Sequence, residues 1–402
     1  QALEILRRLP RRRETVQRAI DLRLDLRNSL QALGELARIL EYLREAETLA
    51  TSLEDSRRLG QIFALMSQTY RMTGQPDRAI ECGEKALDIA RWQPNSLLWI
   101  LANLYLGAAH LTVGNYRKAA EILTGTIRSF PETPAHQNWS MTGLPPVFTR
   151  SYLVYCLAEL GEFAEARIHA EEAERSSKDA GQSYSVVFAG SATGTLLLVK
   201  GEIEQATTAL EEALTLARTL NLAIALPLLA TSLGQAYTLQ GHSPEAILLL
   251  EEAIEQARSM NRAGGHALLL VRLADAYRLA GRMADAAVIA RHALALSRTH
   301  KERGHEAYAL RSLADLAALA PAGGEEEAES LYRQALALAE DLGMRPLGAH
   351  CRWQLARVLA RTGRIDEGTA ALSAAVAAFR ALDSPYWVIR AEADLRGLSA
   401  RA

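Results

Sequence analysis

Residues 233–257 read LGQAYTLQGHSPEAILLLEEAIEQA, and residues 273–297, forty positions on, read LADAYRLAGRMADAAVIARHALALS. Each stretch places apolar residues at helical spacing, then a glycine, then a second helical run carrying alanine at fixed places. Aligned on that glycine, the whole chain falls into register. The anchors are Gly34, Gly74, Gly114, Gly161, Gly201, Gly241, Gly281, Gly323 and Gly363, and six of the eight spacings are 40, one is 47 and one is 42. Five residues after each anchor stands a small residue, except for Ile39 in the first unit. Twelve after it stands alanine, except for Thr126. Positions seven apart share one helix face, so small side chains there let neighbouring helix backbones approach.

Each unit therefore reads as helix, glycine-ended turn, helix. Neither helix can bury its apolar stripe alone, so the units must stack. The predicted fold is all-α, a right-handed superhelical solenoid of about nine helix pairs. The pattern Leu233-Gly234-x-x-Tyr237-x-x-x-Gly241, followed by Ala246 and Ala253, resembles the tetratricopeptide repeat (TPR). Tyr70 and Tyr277 hold the same tyrosine place, and His110 replaces it in the third unit. HEAT and armadillo repeats also run near 40 residues but do not predict this phase. The usual TPR period is 34, so longer helices and inter-unit turns are expected here.

Domain organisation follows from the array. Residues 1–18, with the basic run LRRLPRRR, read as a solvated lead-in or linker. Residues 19–383 are the solenoid. Residues 384–402 read as a capping helix and tail, with Ser384 and Pro385 as start signals. The Pro-rich stretch 131–146, with Trp139, reads as a long surface loop or as a ligand-contacting lip.

The 402 residues carry a formal net charge of −2, which offers no general attraction for nucleic acid or anionic membrane. Cys82, Cys156 and Cys351 are far apart and read as reduced thiols of a cytoplasmic protein. No run of apolar residues is long enough to span a bilayer. No phosphate-binding loop is present. His305-Glu306 lacks the second histidine of a zinc-protease motif. The acidic pairs Glu171-Glu172, Glu211-Glu212 and Glu251-Glu252 read as a solvated outer face. No catalytic residue, cofactor or metal is expected in this segment.

A TPR superhelix presents a concave groove lined by the first helix of each unit. Counting back from the anchors places Gln68, Arg71, Tyr155, Glu159, Gln235, Thr238, Asp275, Arg278, Arg357 and Arg361 there. Arg311 and Asp315 join them once the two-residue insertion is allowed for. The C-terminal half is rich in arginine, whose fork suits a carboxylate or phosphate, so an acidic peptide or anionic ligand is expected there. The alternative reading of these side chains is a set of solvated or intramolecular ion pairs, such as Asp275 with Arg278. Reversing both charges is expected to abolish partner capture and leave helicity intact.

Residues 19–50 (AIDLRLDLRNSLQALGELARILEYLREAETLA), 300–318 and 332–364 resemble the C-terminal TPR region of large bacterial signalling proteins. Those proteins join a nucleotide-cyclase-like domain, an AAA/STAND-type ATPase module and a TPR tail. The resemblance implies that cyclase and ATPase domains lie upstream of Gln1, with their activities outside this segment. It implies a regulatory arm that binds a partner protein or peptide, or its own upstream domains, and that could self-associate. The alternative is a small-molecule sensor.

Overall fold

The computed structural model describes residues 10, 12–92, 96–130, 143–320 and 323–399. The stretch 131–142, with Trp139, lies outside the described residues. Helices pair as the glycine register requires. The first three pairs are α1 (Arg13–Leu33) with α2 (Leu36–Ser52), α3 (Ser56–Met72) with α4 (Pro76–Ala90), and α5 (Leu97–Thr112) with α6 (Tyr116–Ile127). Next come α7 (Pro145–Leu160) with α8 (Phe163–Asp179), α9 (Ser183–Lys200) with α10 (Ile203–Thr219), and α11 (Leu226–Leu239) with α12 (Ser243–Ser259). The last three are α13 (His266–Leu279) with α14 (Met283–Thr299), α15 (Arg303–Ala317) with α16 (Gly324–Leu342), and α17 (Arg345–Arg361) with α18 (Ile365–Ala381). A final helix, α19 (Pro385–Ser399), packs on α18, with Trp387 and Ala391 buried in one cluster with Trp353 and Phe379. The first helix thus begins inside the segment read as a lead-in.

All nine anchor glycines have positive φ. At most of them the next residue's N–H reaches back five residues, as from Glu35 to Leu30 O and from His242 to Tyr237 O. That bond satisfies a carbonyl the helix end would otherwise orphan. A second left-handed position, unread in the sequence, lies 20 residues after the anchor: Glu54, Gly181, Asn221, Asn261, Lys301, Gly343 and Asp383 all have positive φ. The 40-residue period is therefore two halves of 20, each a helix and a short turn, and the second helix of a unit is mostly 17 residues long. The small residues sit where backbones meet. Ala79, Ala119, Ala166, Ala206, Ala246, Ala286 and Ala328 are fully buried, and so is Thr126.

The array coils far enough to touch itself. The turn at Gly34 lies against Met260, that at Gly74 against Ala263 and His300, and that at Gly161 against Pro346 and Leu382. Such partners are between 185 and 226 residues apart, so one superhelical turn takes about five 40-residue units. Polar bonds seal the seam. Gly264 N–H donates to Met72 O at 2.9 Å. Arg345 Nε donates to Leu160 O at 2.6 Å and its Nη2 to Gly161 O at 3.0 Å. Lys301 pairs with Asp77 at 2.6 Å and Lys200 with Asp383 at 3.3 Å. Among the described residues no helix is long and apolar enough to cross a membrane.

Candidate functional site: the superhelix interior

Two places on the inner side collect the polar side chains that the first helices carry. The larger is an open groove of about 450 Å³ near the C-terminal end. Arg278, Asp315, Tyr332, Gln354, Arg357, Arg361 and Asp394 line it. Arg357 is exposed, donating to Gln354 at 3.2 Å and lying 3.7 Å from Asp394. Arg361 is exposed and has no ion-pair partner among the described residues.

Beneath this groove lies a buried ionic network. Arg311 donates to Asp275 Oδ2 at 2.6 Å and to Asp315 Oδ2 at 2.8 Å. Ser312 donates to Asp275 Oδ1 at 2.7 Å, and Tyr332 to Asp315 Oδ1 at 2.5 Å. Burial pushes the Asp275 carboxyl up, but Arg311, Arg278, Arg272 and the Ser312 hydroxyl outweigh it and hold it below its ordinary range. The expected Asp275–Arg278 pair is not formed: Arg278 lies 3.9 Å from Asp315 instead. Asp275 is a foundation of the groove rather than its face. Reversing its charge would break the network and destabilise the fold, so that variant would not report on the groove face alone.

The smaller place is a chamber of about 180 Å³ in the middle of the coil. Arg71 from α3 meets Tyr155 and Glu159 from α7 there, two units away in the array. Arg71 donates to Gln68 Oε1 and to the Tyr152 hydroxyl at 3.1 Å, and its guanidinium lies 5.4 Å from the Tyr152 ring centre. Tyr155 donates to Ser191 Oγ at 3.0 Å. Glu159 accepts from the Tyr308 hydroxyl at 2.9 Å, and burial raises its carboxyl pKa.

Gln68 and Thr238 are buried; Thr238 spends its hydroxyl on Gly234 O at 2.6 Å. Gln235 is half-buried on α11. Sequence spacing missed Tyr152, Phe188, Arg262 and His266 in the chamber wall. Arg262 lies in an inter-unit turn, where counting along first helices does not look.

Other sequence expectations resolve into structural roles. His305 Nδ1 lies 2.8 Å from Glu302 Oε2, whose other oxygen accepts the Gly265 N–H. Glu211 and Glu251 are not merely solvated: each accepts the hydroxyl of a first-helix tyrosine in the next unit, Tyr237 and Tyr277. Among the described residues no group of three or more metal-ligating side chains converges.

His350 is packed among Trp353, Phe379 and Trp387, the last at 4.4 Å between ring centres. Burial, with Arg311 and Arg272 nearby, pulls its pKa down to about 3. The unfolded chain takes up the proton near pH 6.5 and the folded one does not. Stability is therefore lost as pH falls from about 6.5 towards 3, by about 2 kcal/mol at pH 5 from this residue. Glu159, with its raised pKa, acts in the opposite sense, stability rising as pH falls through its folded value towards 4.5. His350→Phe should flatten the fall in melting temperature between pH 7 and pH 5 relative to the parent. An identical fall in both proteins would refute the assignment.

Residues 25–91 match the tetratricopeptide repeat family. The chain is a tetratricopeptide-like solenoid. No curated protein matches it. Among solved structures, a Rap protein complexed with Competence and Sporulation Factor resembles the solenoid with a TM-score of 0.55 and 14% identity. The match covers 86% of this chain and 99% of that one. The Rap conjugation gene regulator of plasmid pLS20, in complex with the Phr* peptide, gives a TM-score of 0.58 and 13% identity, covering 90% and 96%. A monomeric IFIT1 mutant with Gppp-AAAA gives 0.51 and 16%, covering 92% and 78%. At such identities the likeness concerns the tetratricopeptide fold.

Proposed function

We propose that this solenoid is a non-catalytic regulatory module that binds an acidic peptide or protein segment in its C-terminal groove. The observation that carries the reading is the excess of guanidinium there. Arg278, Arg357 and Arg361 face Asp315 and Asp394, and Asp315 is already committed to Arg311 and Tyr332. Exposed guanidiniums on a rigid helix present a fork that carboxylates satisfy in two-point fashion. The Rap structures of similar coil hold peptides, which supports a peptide as the occupant class. The resemblance of residues 19–50, 300–318 and 332–364 to bacterial signalling proteins supports a wider setting. In it the solenoid is the cytoplasmic C-terminal arm of an ATPase/cyclase-type protein and restrains or releases its upstream domains.

Arg357→Glu with Arg361→Glu tests the groove. Both side chains are exposed, so helicity should be unchanged. A fluorescein-labelled, Glu-rich peptide of about a dozen residues should bind the parent and lose roughly tenfold or more in affinity to the double variant. Equal anisotropy curves for the two proteins would refute the groove assignment.

A further inference from the structure

The central chamber contains a charge problem that the fold itself does not solve. Arg71 and Arg262 both line it. Among the described residues neither guanidinium has an ion-pair partner. Arg71 donates to Gln68 and Tyr152, while Arg262 Nη1 donates to the Ile224 carbonyl at 2.8 Å. Burial first, then the Arg71 charge, pulls the Arg262 pKa down to about 10. A third cation stands behind the wall. Arg272 is 5% exposed, sits 4.7 Å from the Tyr308 ring centre, and has Nε and Nη1 without hydrogen-bond partners. Buried His266 Nδ1, also in the lining residues, is unpartnered too. Glu159 is the one carboxylate among the described lining residues, and Tyr308 already occupies it.

Arg71 and Arg262 are both half-buried. Like charges partly withdrawn from water without a counter-ion are unfavourable, and an anion held between two guanidiniums relieves that cost. The rest of the wall is aromatic. Phe188 stands edge-on to Tyr152 at 5.2 Å and to Tyr155 at 6.2 Å. In size, the chamber slightly exceeds a cavity of about 150 Å³, which admits one benzene ring.

We propose that the chamber binds a small aromatic carboxylate, with its anionic end between Arg71 and Arg262 and its ring against Phe188, Tyr152 and Tyr155. This site is separate from the C-terminal groove, and its occupancy does not depend on the peptide reading. Chamber residues come from α3, α5, α6, α7 and α9 and from α11, α12, the 260–265 turn, α13 and α15, that is, from both turns of the coil. An occupant therefore stiffens the seam where the turns meet, which is how such a ligand would regulate a coil.

The test is calorimetric titration and thermal melting of the full chain with benzoate, phenylacetate and N-acetylphenylalanine. Benzamide supplies the ring without charge, and acetate the charge without a ring. Benzoate or phenylacetate should bind and raise the melting temperature, and benzamide and acetate should not. Arg262→Gln should weaken binding roughly ten- to hundredfold, and Arg71→Gln similarly. Leu228→Trp, which fills the chamber and leaves both guanidiniums in place, should abolish binding and so guards against a poorly folded arginine variant. Preference for N-acetylphenylalanine would identify the terminal carboxylate of a peptide as the source; preference for benzoate would identify a free acid. Arg357→Glu with Arg361→Glu should leave all of these titrations unchanged, which separates this site from the groove. Equal binding of benzamide and benzoate, or no binding of any acid, would overturn the proposal.

Discussion

Asp275→Ala should lower the free energy of unfolding by about 3–5 kcal/mol, measured by urea titration followed by circular dichroism. The carboxylate receives Arg311 at 2.6 Å and Ser312 at 2.7 Å, and it also feels the charges of Arg278 and Arg272. Removing it leaves several buried cations with Asp315 as their nearby counter-charge, and Asp315 is itself bound by Tyr332. The loss exceeds that of an exposed ion pair because the surviving partners stay desolvated. Asp275→Leu combined with Arg311→Met should recover much of the deficit, since an apolar pair of similar bulk carries no stranded charge.

The pH behaviour has a definite sign. The folded-state pKa of Asp275 is depressed, so its contribution is present above the ordinary carboxylate value near 4. It is lost as pH falls through the lower native value. A Asp275→Ala protein as stable as the parent at pH 7 would contradict the network's role.

The fold was legible because its signals are local. A glycine that must take positive φ and an alanine that must let two backbones meet leave the same mark in every unit. The second left-handed position escaped notice because Glu54, Asn221, Asn261, Lys301 and Asp383 spread it over four residue types. Only Gly181 and Gly343 carry the usual mark. A left-handed turn of non-glycine residues costs about 1–2 kcal/mol each, and the five-residue back bonds of the Schellman kind offset it.

The site was half legible. Counting back from the anchors finds side chains on the inner helix face, and so reaches Arg71, Tyr155 and Arg357. It does not distinguish a side chain that greets a partner from one, such as Asp275, that is already bound. Nor can it bring Arg71 beside Arg262. That meeting depends on the small rotation between units, summed over most of a superhelical turn, and no single unit encodes it.

Gly264→Ala should open the coil. The added methyl would lie 2.1 Å from the backbone oxygen of Arg71, an atom with no side-chain freedom to yield. The Gly264 N–H also makes the 2.9 Å bond to Met72 O that ties the 260–265 turn to the end of α3. Relief requires the two superhelical turns to part there, at a cost of about 1–3 kcal/mol for overpacking and about 1 kcal/mol for the strained bond.

Gly241→Ala is the informative control. It has φ +84 and open space around the new methyl, so it carries backbone strain without a seam clash. Small-angle scattering should show a larger radius of gyration for Gly264→Ala and an unchanged one for Gly241→Ala. Equal radii would mean that the turns are not held together at this contact. Because the same short turn carries Arg262 towards Arg71, a coil opened at Gly264 should also lose its affinity for benzoate. Closure and the chamber's charge pairing then fail together, which is the behaviour of one coupled element rather than of two separate contacts.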